Sequence, residues 1–536
     1  MTEDTGSPAA GGAYALPMSP SPAGAKALTA AALGPGAQMV AQPRGFDLFR
    51  LPGMRRLARW KYSRLLFQLP LLLLALLAIF DGLTGSQFAS RNLATTSTWL
   101  HYRGLIVIAV ALVGNAFCAA CPLLLTRGLS RRLERLMPNK LAWPRALRSK
   151  WLVVGLLLAF FLSYEVFDLW ASPWLTAWLA IGYFAAVLAV DTLFPAGTFC
   201  RYLCPLGNFN FALSTVSPTQ IAAVDVDICR SCEHKPCLHG RYSAQHDAPA
   251  AGGKELAFIP LAAVVNPNGS GRFPGCETDL FVPTIVSNMD CTYCFNCVRA
   301  CPYDNVALSL RQPGAELARA PWLRRGRLAA LALVVLLACW GFMNALAMTP
   351  LFFDSMIALG GLIGSSNEAL LLAVLYGLVT IAGVATLGLA GVLADLAGGA
   401  KPRARAAFER WGYVAAALGF GVWAAHYLFH FLTGALAIVP VFQHLFDYRG
   451  LDWDPSWRLV QLVPSRWLFP VQAGITAFAG ALAMAATVRI ALRDFGRRGA
   501  LAMWPMLLYV LAFTAVVLTL WAQPMEMRGT IFGPLP

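Results

Sequence analysis

The chain has 536 residues, 58% of them hydrophobic and only 13% charged, where a soluble protein carries about 25% charged residues. That composition excludes an ordinary soluble enzyme and reads as an α-helical polytopic membrane protein. The net charge of +15 does not imply a nucleic-acid partner, because the arginines fall in short loops between apolar runs, where positive charge orients spans.

Residues 1–43 are rich in Ala, Gly and Pro and nearly free of charge, a composition that predicts a disordered tail. No basic start followed by an apolar core is present, so no signal peptide is expected. Apolar runs long enough to span a bilayer, about 17–25 residues, fall at 64–84, 104–125, 151–171, 174–195, 328–349, 369–393, 412–436, 467–488 and 501–522. They predict about nine transmembrane helices. The third and fourth are joined by Ala171, Ser172 and Pro173 as a tight hairpin. The run 351–364 is apolar but short, and predicts an interfacial segment.

Basic residues cluster before the first run (Arg44, Arg50, Arg55, Arg56, Arg59, Lys61, Arg64) and after the second (Arg127, Arg131, Arg132, Arg135, Lys140, Arg145, Arg148, Lys150). They recur before the fifth (Arg311, Arg319, Arg324, Arg325, Arg327), after the sixth (Lys401, Arg403, Arg405, Arg410) and after the eighth (Arg489, Arg493, Arg497, Arg498). With nine spans, all these loops fall on one side. This predicts an inner-membrane protein with a cytoplasmic N-terminus and an outer C-terminus. The expected divisions are the tail 1–43, a four-helix membrane domain over 44–199, a cytoplasmic segment over 200–320 and a five-helix membrane domain of unassigned role over 321–536.

The cytoplasmic segment carries the chemistry. Cys291, Cys294, Cys297 and Cys301 followed by Pro302 read C-x2-C-x2-C-x3-C-P, the run that wraps a [4Fe–4S] cluster in bacterial ferredoxins, where the fourth cysteine serves a second cluster. A second set lies upstream: Cys229, Cys232, Cys237 and Cys276. Cross-sharing would join Cys276 to Cys291, Cys294 and Cys297, and Cys301 to Cys229, Cys232 and Cys237. The competing reading is zinc, which also takes four cysteines but usually through paired C-x2-C motifs. His234 and His239 flank Cys237 and read as solvated loop residues. Two further pairs, Cys118 with Cys121 before Pro122 and Cys200 with Cys204 before Pro205, fall at the cytoplasmic ends of the second and fourth runs. Spacings of i,i+3 and i,i+4 put each pair on one helical face. Together they supply four thiols for a third cluster at the membrane face, or a redox dithiol. Cys339 stands alone in an apolar run and reads as packing.

These motifs resemble the polyferredoxin membrane proteins of respiration. That family includes the quinol-dehydrogenase subunit of periplasmic nitrate reductase, the membrane protein that supports nitrous oxide reductase, and the accessory protein of cbb3-type oxidase. The likeness covers about residues 45–320, and 199–207 is especially similar to the nitrous-oxide member. The first membrane-face copy is C-x2-C-P where the family has C-x3-C-P. The resemblance implies iron–sulfur electron transfer between the quinone pool and a respiratory partner protein. Residues 1–63 are too short and plain for an outer flavin domain. The alternative implied by the oxidase accessory relative is an assembly factor that reduces copper, with Met525 and Met527 as soft ligands. A third reading is a structural subunit of a larger complex.

Other candidates are ionisable residues within the membrane. Glu165 and Asp168 end the third run, where a carboxylate could accept quinol protons or pair with His101 or Arg103. His426 and His430 lie one turn apart on the seventh, as quinone, haem or metal contacts or as polar packing.

Overall fold

The computed structural model describes residues 45–134, 140–241, 273–319, 328–458 and 460–525. The tail 1–43, Met527 and the bases Arg44, Arg135, Arg324, Arg325 and Arg327 lie outside the described residues. The fold is mostly helical, and among the described residues seven helical stretches are long and apolar enough to cross a membrane.

In chain order these elements are α1 (Ser63–Thr84), α2 (Leu93–Val113), α3 (Lys150–Val166), α4 (Pro173–Leu193) and the shorter α5 (Pro205–Leu213). Then come α6 (Leu328–Leu346), the short apolar α7 (Pro350–Ile363), α8 (Glu368–Ala397), α9 (Val414–Gly434), α10 (Leu468–Phe495) and α11 (Gly499–Trp521). Nine spans reduce to seven for two reasons. The stretch Ser465–Trp521 counts once although it bends back at Gly496 into α10 and α11, and α3 is only 17 residues long.

Two boundaries differ from the sequence reading. The second helix does not run over 104–125: it begins at Leu93 and ends at Val113, where Gly114 takes a left-handed φ of 70°. Its first turns are polar and include a π-helical turn, Thr96–Tyr102. Those hydroxyls are satisfied within the helix, Thr96 Oγ1 by Asn92 O at 2.8 Å and Ser97 Oγ by Leu93 O at 2.6 Å, so they can sit in an apolar medium. The third helix stops at Val166, and the link to α4 is 167–172, with Ser172 capping α4 through Leu175 N at 3.2 Å ahead of Pro173.

The two expected membrane domains share one hydrophobic core. It draws on α2, α3 and α5 from the first half and on α6, α8, α9, α10 and α11 from the second. Helix α6 lies at the centre, with 78% of its span window buried against 22% for α1, α4 and α8. Trp423 of α9 joins the halves: its ring stacks on Phe161 at 5.3 Å and meets Phe209 edge-on at 5.0 Å, and Nε1 donates to Leu337 O at 2.8 Å. The peripheral helices expose Leu73, Ile381 and Leu508, as a lipid-facing surface does.

Between α5 and α6 lies a small, largely irregular unit. Its one regular sheet among the described residues pairs β1 (Thr219–Ala223) with β2 (Val306–Leu310) antiparallel, Thr219 opposite Leu310 and Ala223 opposite Val306. Strand β2 is bracketed by the loop before α1, where Asp47 Oδ1 accepts from Leu308 N at 3.1 Å. Beneath the sheet, Arg311 donates to Ser217 O at 2.9 Å and pairs with Glu316 at 2.7 Å, both side chains almost fully buried.

Candidate functional site

The electrostatic influence of thiol on thiol sorts twelve of the thirteen cysteines into three sets of four. In the first, Cys118 lies on the short helix Ala116–Ala120 and Cys121 ends it. Cys200 lies in a π-helical turn, Phe199–Leu203, and Cys204 caps α5. Neither pair shares an α-helical face, unlike the sequence reading. Instead each proline starts the next helical turn, Pro122 on one side and Pro205 on the other. Burial pushes the Cys118 thiol well up, and Cys121 and Cys200 push it further. Burial raises Cys204 as well, with Cys200, Cys121 and Cys118 acting in the same sense.

The second group joins Cys276 to Cys291, Cys294 and Cys297. Burial and then Cys294 push Cys276 up to about 11, and Cys297 is raised by burial, Cys294, Cys276 and Cys291. The third joins Cys301 to Cys229, Cys232 and Cys237. Burial, then Cys301 and Cys232, push Cys229 up to about 12, while Cys237 is raised by burial, Cys301, Cys229 and Cys232. The groups stand in series. Cys118 of the first acts on Cys291 of the second, and Cys237 of the third acts on Cys297 of the second.

Tight backbone turns shape the second and third groups. Among the described residues, six of the seven non-glycine residues with positive φ are Lys235, Asp279, Asp290, Tyr293, Phe295 and Asp304, all near these cysteines in sequence. Such conformers cost about 1–3 kcal/mol each and turn N–H groups inward to form anion-binding concavities. Several donors reach sulfur: Leu280 N to Cys276 Sγ at 3.3 Å, Asn305 N to Cys301 Sγ at 3.4 Å, and Asn305 Nδ2 to Cys229 Sγ at 3.2 Å. In the first group Gly207 N donates to Cys204 Sγ at 3.2 Å.

Glu277 ties the second group to the first. Its side chain pairs with Arg64 at 2.7 Å and Arg127 at 3.0 Å. Arg127 in turn pairs with the buried Asp191 at 2.6 Å and reaches toward Cys200 Sγ at 3.9 Å. Burial opposes the charge of Glu277, yet Arg64 and Arg127 outweigh it and hold the carboxyl down at about 2. Gly197 (φ 91°) allows the backbone contact: a Cβ there would sit 1.8 Å from Glu277 O. Asn115, fully buried, adds a second tie through Nδ2 to Cys291 O at 2.8 Å.

A cavity of about 320 Å³ opens beside the first group. All four of its cysteines and Arg103 of α2 are among its lining residues. Arg103 is 6% exposed, with its guanidinium over the rings of Tyr164 at 4.7 Å, Trp99 at 4.8 Å and Tyr427 at 5.0 Å. Sequence reasoning named Arg103 only as a partner for an acid. No apolar run marked it, since Arg103 stands one residue before the run 104–125.

Glu165 and Asp168 are not among the cavity's lining residues. Glu165 is buried and accepts from Asn344 Nδ2 of α6 at 2.9 Å. His101 instead bonds Thr96 O and Ala435 O, both at 2.8 Å. His426 and His430 are buried on α9 with ring centroids 4.9 Å apart, behind Tyr427. Met525 Sδ lies 3.7 Å from Gln472 Nε2. Cys339 is buried in the core, its Sγ 2.6 Å from where a Cβ on Gly383 would stand.

Among the described residues, no group of three or more His, Cys, Asp or Glu side chains is arranged to hold a single metal ion. No family model, curated protein or solved structure matches the chain.

Proposed function

We propose that this chain is an iron–sulfur electron-transfer protein of the bacterial inner membrane, linking the quinone pool to a respiratory partner protein. The observation that carries the reading is the gathering of twelve cysteines into three fours standing in series. The second and third fours, Cys276 with Cys291, Cys294 and Cys297, and Cys301 with Cys229, Cys232 and Cys237, would each hold a [4Fe–4S] cluster in a ferredoxin-like insert. Cys118, Cys121, Cys200 and Cys204 would hold a third at the membrane face.

The sequence spacing suits such a group better than zinc, because zinc usually takes paired C-x2-C motifs rather than the run C-x2-C-x2-C-x3-C-P. N–H donors at Cys204, Cys276, Cys229 and Cys301 favour thiolates and raise a cluster's potential. When bound, the clusters would supply one-electron relay steps. The protein's own part is to desolvate the sulfurs, to fix their spacing through Glu277 and Asn115, and to keep the first four against the apolar cavity. The basic loops support a cytoplasmic side for all three groups.

Iron analysis and EPR of anaerobically purified protein test this. About twelve irons per chain, four for each cluster, are expected. Fewer than about four irons with stoichiometric zinc overturns the reading.

A further inference from the structure

The third cysteine group draws on two stretches far apart in the sequence. Cys229 lies on the short helix Val226–Ser231, and Cys301 ends the short helix Asn296–Ala300. One residue touches both. Asn305 stands between the left-handed turn at Asp304, φ 53°, and the start of β2 at Val306, and it is 3% exposed. Its backbone N donates to Cys301 Sγ at 3.4 Å, and its side-chain Nδ2 donates to Cys229 Sγ at 3.2 Å.

The orientation of that amide is fixed by Asp225. Asp225 N donates to Asn305 Oδ1 at 2.8 Å, and Asp225 O accepts from Nδ2 at 2.6 Å. A backbone N–H can only donate and a backbone carbonyl can only accept, so a flipped amide would set donor against donor. One hydrogen of Nδ2 goes to Asp225 O, and the other is left for the sulfur. Asn305 O also accepts from Val224 N at 3.2 Å, which carries the β1–β2 ladder one step past the pair Ala223 and Val306. Asp225 in turn caps the helix that bears Cys229, its Oδ1 accepting from Asp227 N at 2.8 Å. By comparison, the amide of Asn210 in the first group stands 3.9 Å from Cys118 Sγ.

A buried asparagine at a strand end could serve the backbone alone, and the two bonds to Asp225 fill that role. The two donors to sulfur go beyond it. They favour thiolate over thiol, and they favour a reduced cluster over an oxidised one, because the added electron spreads onto the sulfurs.

We propose that Asn305 is the positioning residue of the third group: it holds Cys229 beside Cys301 before any iron is bound, and it raises the potential of a cluster held there. The second part rests on the electron-transfer reading. The first part does not.

The full-length protein in detergent is tested in two states. In iron-free protein, prepared by chelation under reducing conditions, dibromobimane bridges neighbouring thiols, and mass spectrometry of the digest measures the Cys229–Cys301 product. In iron-loaded protein, an EPR-monitored redox titration reads the midpoint potential of each group. The third group's signal is the one that Cys232→Ser removes. Wild type should give the bridged product. Asn305→Leu, similar in size but with no side-chain donor, should lower its yield about tenfold, the worth of a hydrogen bond to a charged group. It should also shift the third group's oxidised-to-reduced ratio about tenfold, or about 59 mV downward for a one-electron couple, with the other two signals in place. Asn305→Asp keeps the bond from Asp225 N but sets an oxygen where the donor to Cys229 stood, and should lower the potential further than Asn305→Leu.

Bridging and potential both within about threefold of wild type overturn the proposal. Bridging that falls while the potential holds overturns the second part. Where a variant takes up no iron in the third group, unchanged bridging in the iron-free state overturns the first part. Wild type that holds its irons but gives no bridged product once they are removed overturns the first part as well. Wild type that gives the product but binds no iron overturns the electron-transfer reading alone.

Discussion

Replacing Glu277 by Leu should loosen the second cysteine group from the first. The carboxylate accepts from Arg64 at 2.7 Å and Arg127 at 3.0 Å, and the three side chains are 11%, 16% and 13% exposed. Breaking a buried ion pair by removing one partner costs about 3–5 kcal/mol, because the remaining charge stays desolvated. Here Arg127 keeps Asp191 at 2.6 Å, but Arg64 keeps only Ala119 O at 3.2 Å. The lower figure of about 3 kcal/mol therefore applies, and at about 1.36 kcal/mol per decade it raises the open population of the loop around Cys276 roughly 150-fold. Hydrogen exchange of peptides spanning 273–281, read by mass spectrometry, measures that opening. Arg64→Leu with Glu277→Leu removes both the orphaned charge and its partner, and should bring exchange back to within about tenfold of wild type. If Glu277→Leu exchanges within about threefold of wild type, the ion pairs do not hold the loop. The same conclusion follows if the double variant opens as far as the single one.

Gly197→Ala should disturb the same junction from the other side, since its Cβ would stand 1.8 Å from Glu277 O at a φ of 91°. A loss of about 2 kcal/mol or more is expected, seen as a lower melting temperature and faster alkylation of Cys276 in iron-free protein. Arg311→Leu removes the cation 2.7 Å from the buried Glu316 and leaves that carboxylate with the neutral donors Ser287 Oγ and Asn288 N at 3.1 Å. It should cost about 3–5 kcal/mol, and a melting temperature unchanged from wild type would refute the role of that pair. Cys204→Ser should lower iron from about twelve to about eight per chain while the EPR signals of the other two groups persist. Unchanged iron would remove Cys204 from the site.

Long apolar runs with charged ends were legible in the sequence, so α1, α4, α6, α8, α9, α10 and α11 fall close to the runs read there. The second helix was not, because Thr96, Ser97, Thr98 and His101 look like a loop in a hydropathy profile. Their polarity is spent on backbone carbonyls within the helix and on Ala435 O, which only the fold reveals. The break at Gly114 is equally silent, since a single glycine in an apolar run does not specify a left-handed turn. Spacing brought these cysteines to notice, because ligands to a small group must be near in sequence or carried there by a fixed fold. The π-helical turn that holds Cys200 has no comparable mark. Arg103 stands one residue before the run 104–125 and reads there as a loop charge, and its cavity needs helices α2, α3, α4 and α9 together, which no local pattern contains.

The grouping of the cysteines also sets a timetable for the growing chain. Cys118 and Cys121 wait for Cys200 and Cys204, so the first group is complete once the fourth helix and the start of α5 have been made. Cys229, Cys232 and Cys237 are made next but lack their fourth member until Cys301. Cys276 waits for Cys291, Cys294 and Cys297. The second and third groups therefore close within four residues of each other, at Cys297 and Cys301. A ribosome stalled anywhere between 205 and 296 would leave one finished group and as many as six unmatched thiols, whereas one that has passed 301 can complete both remaining groups in a single event.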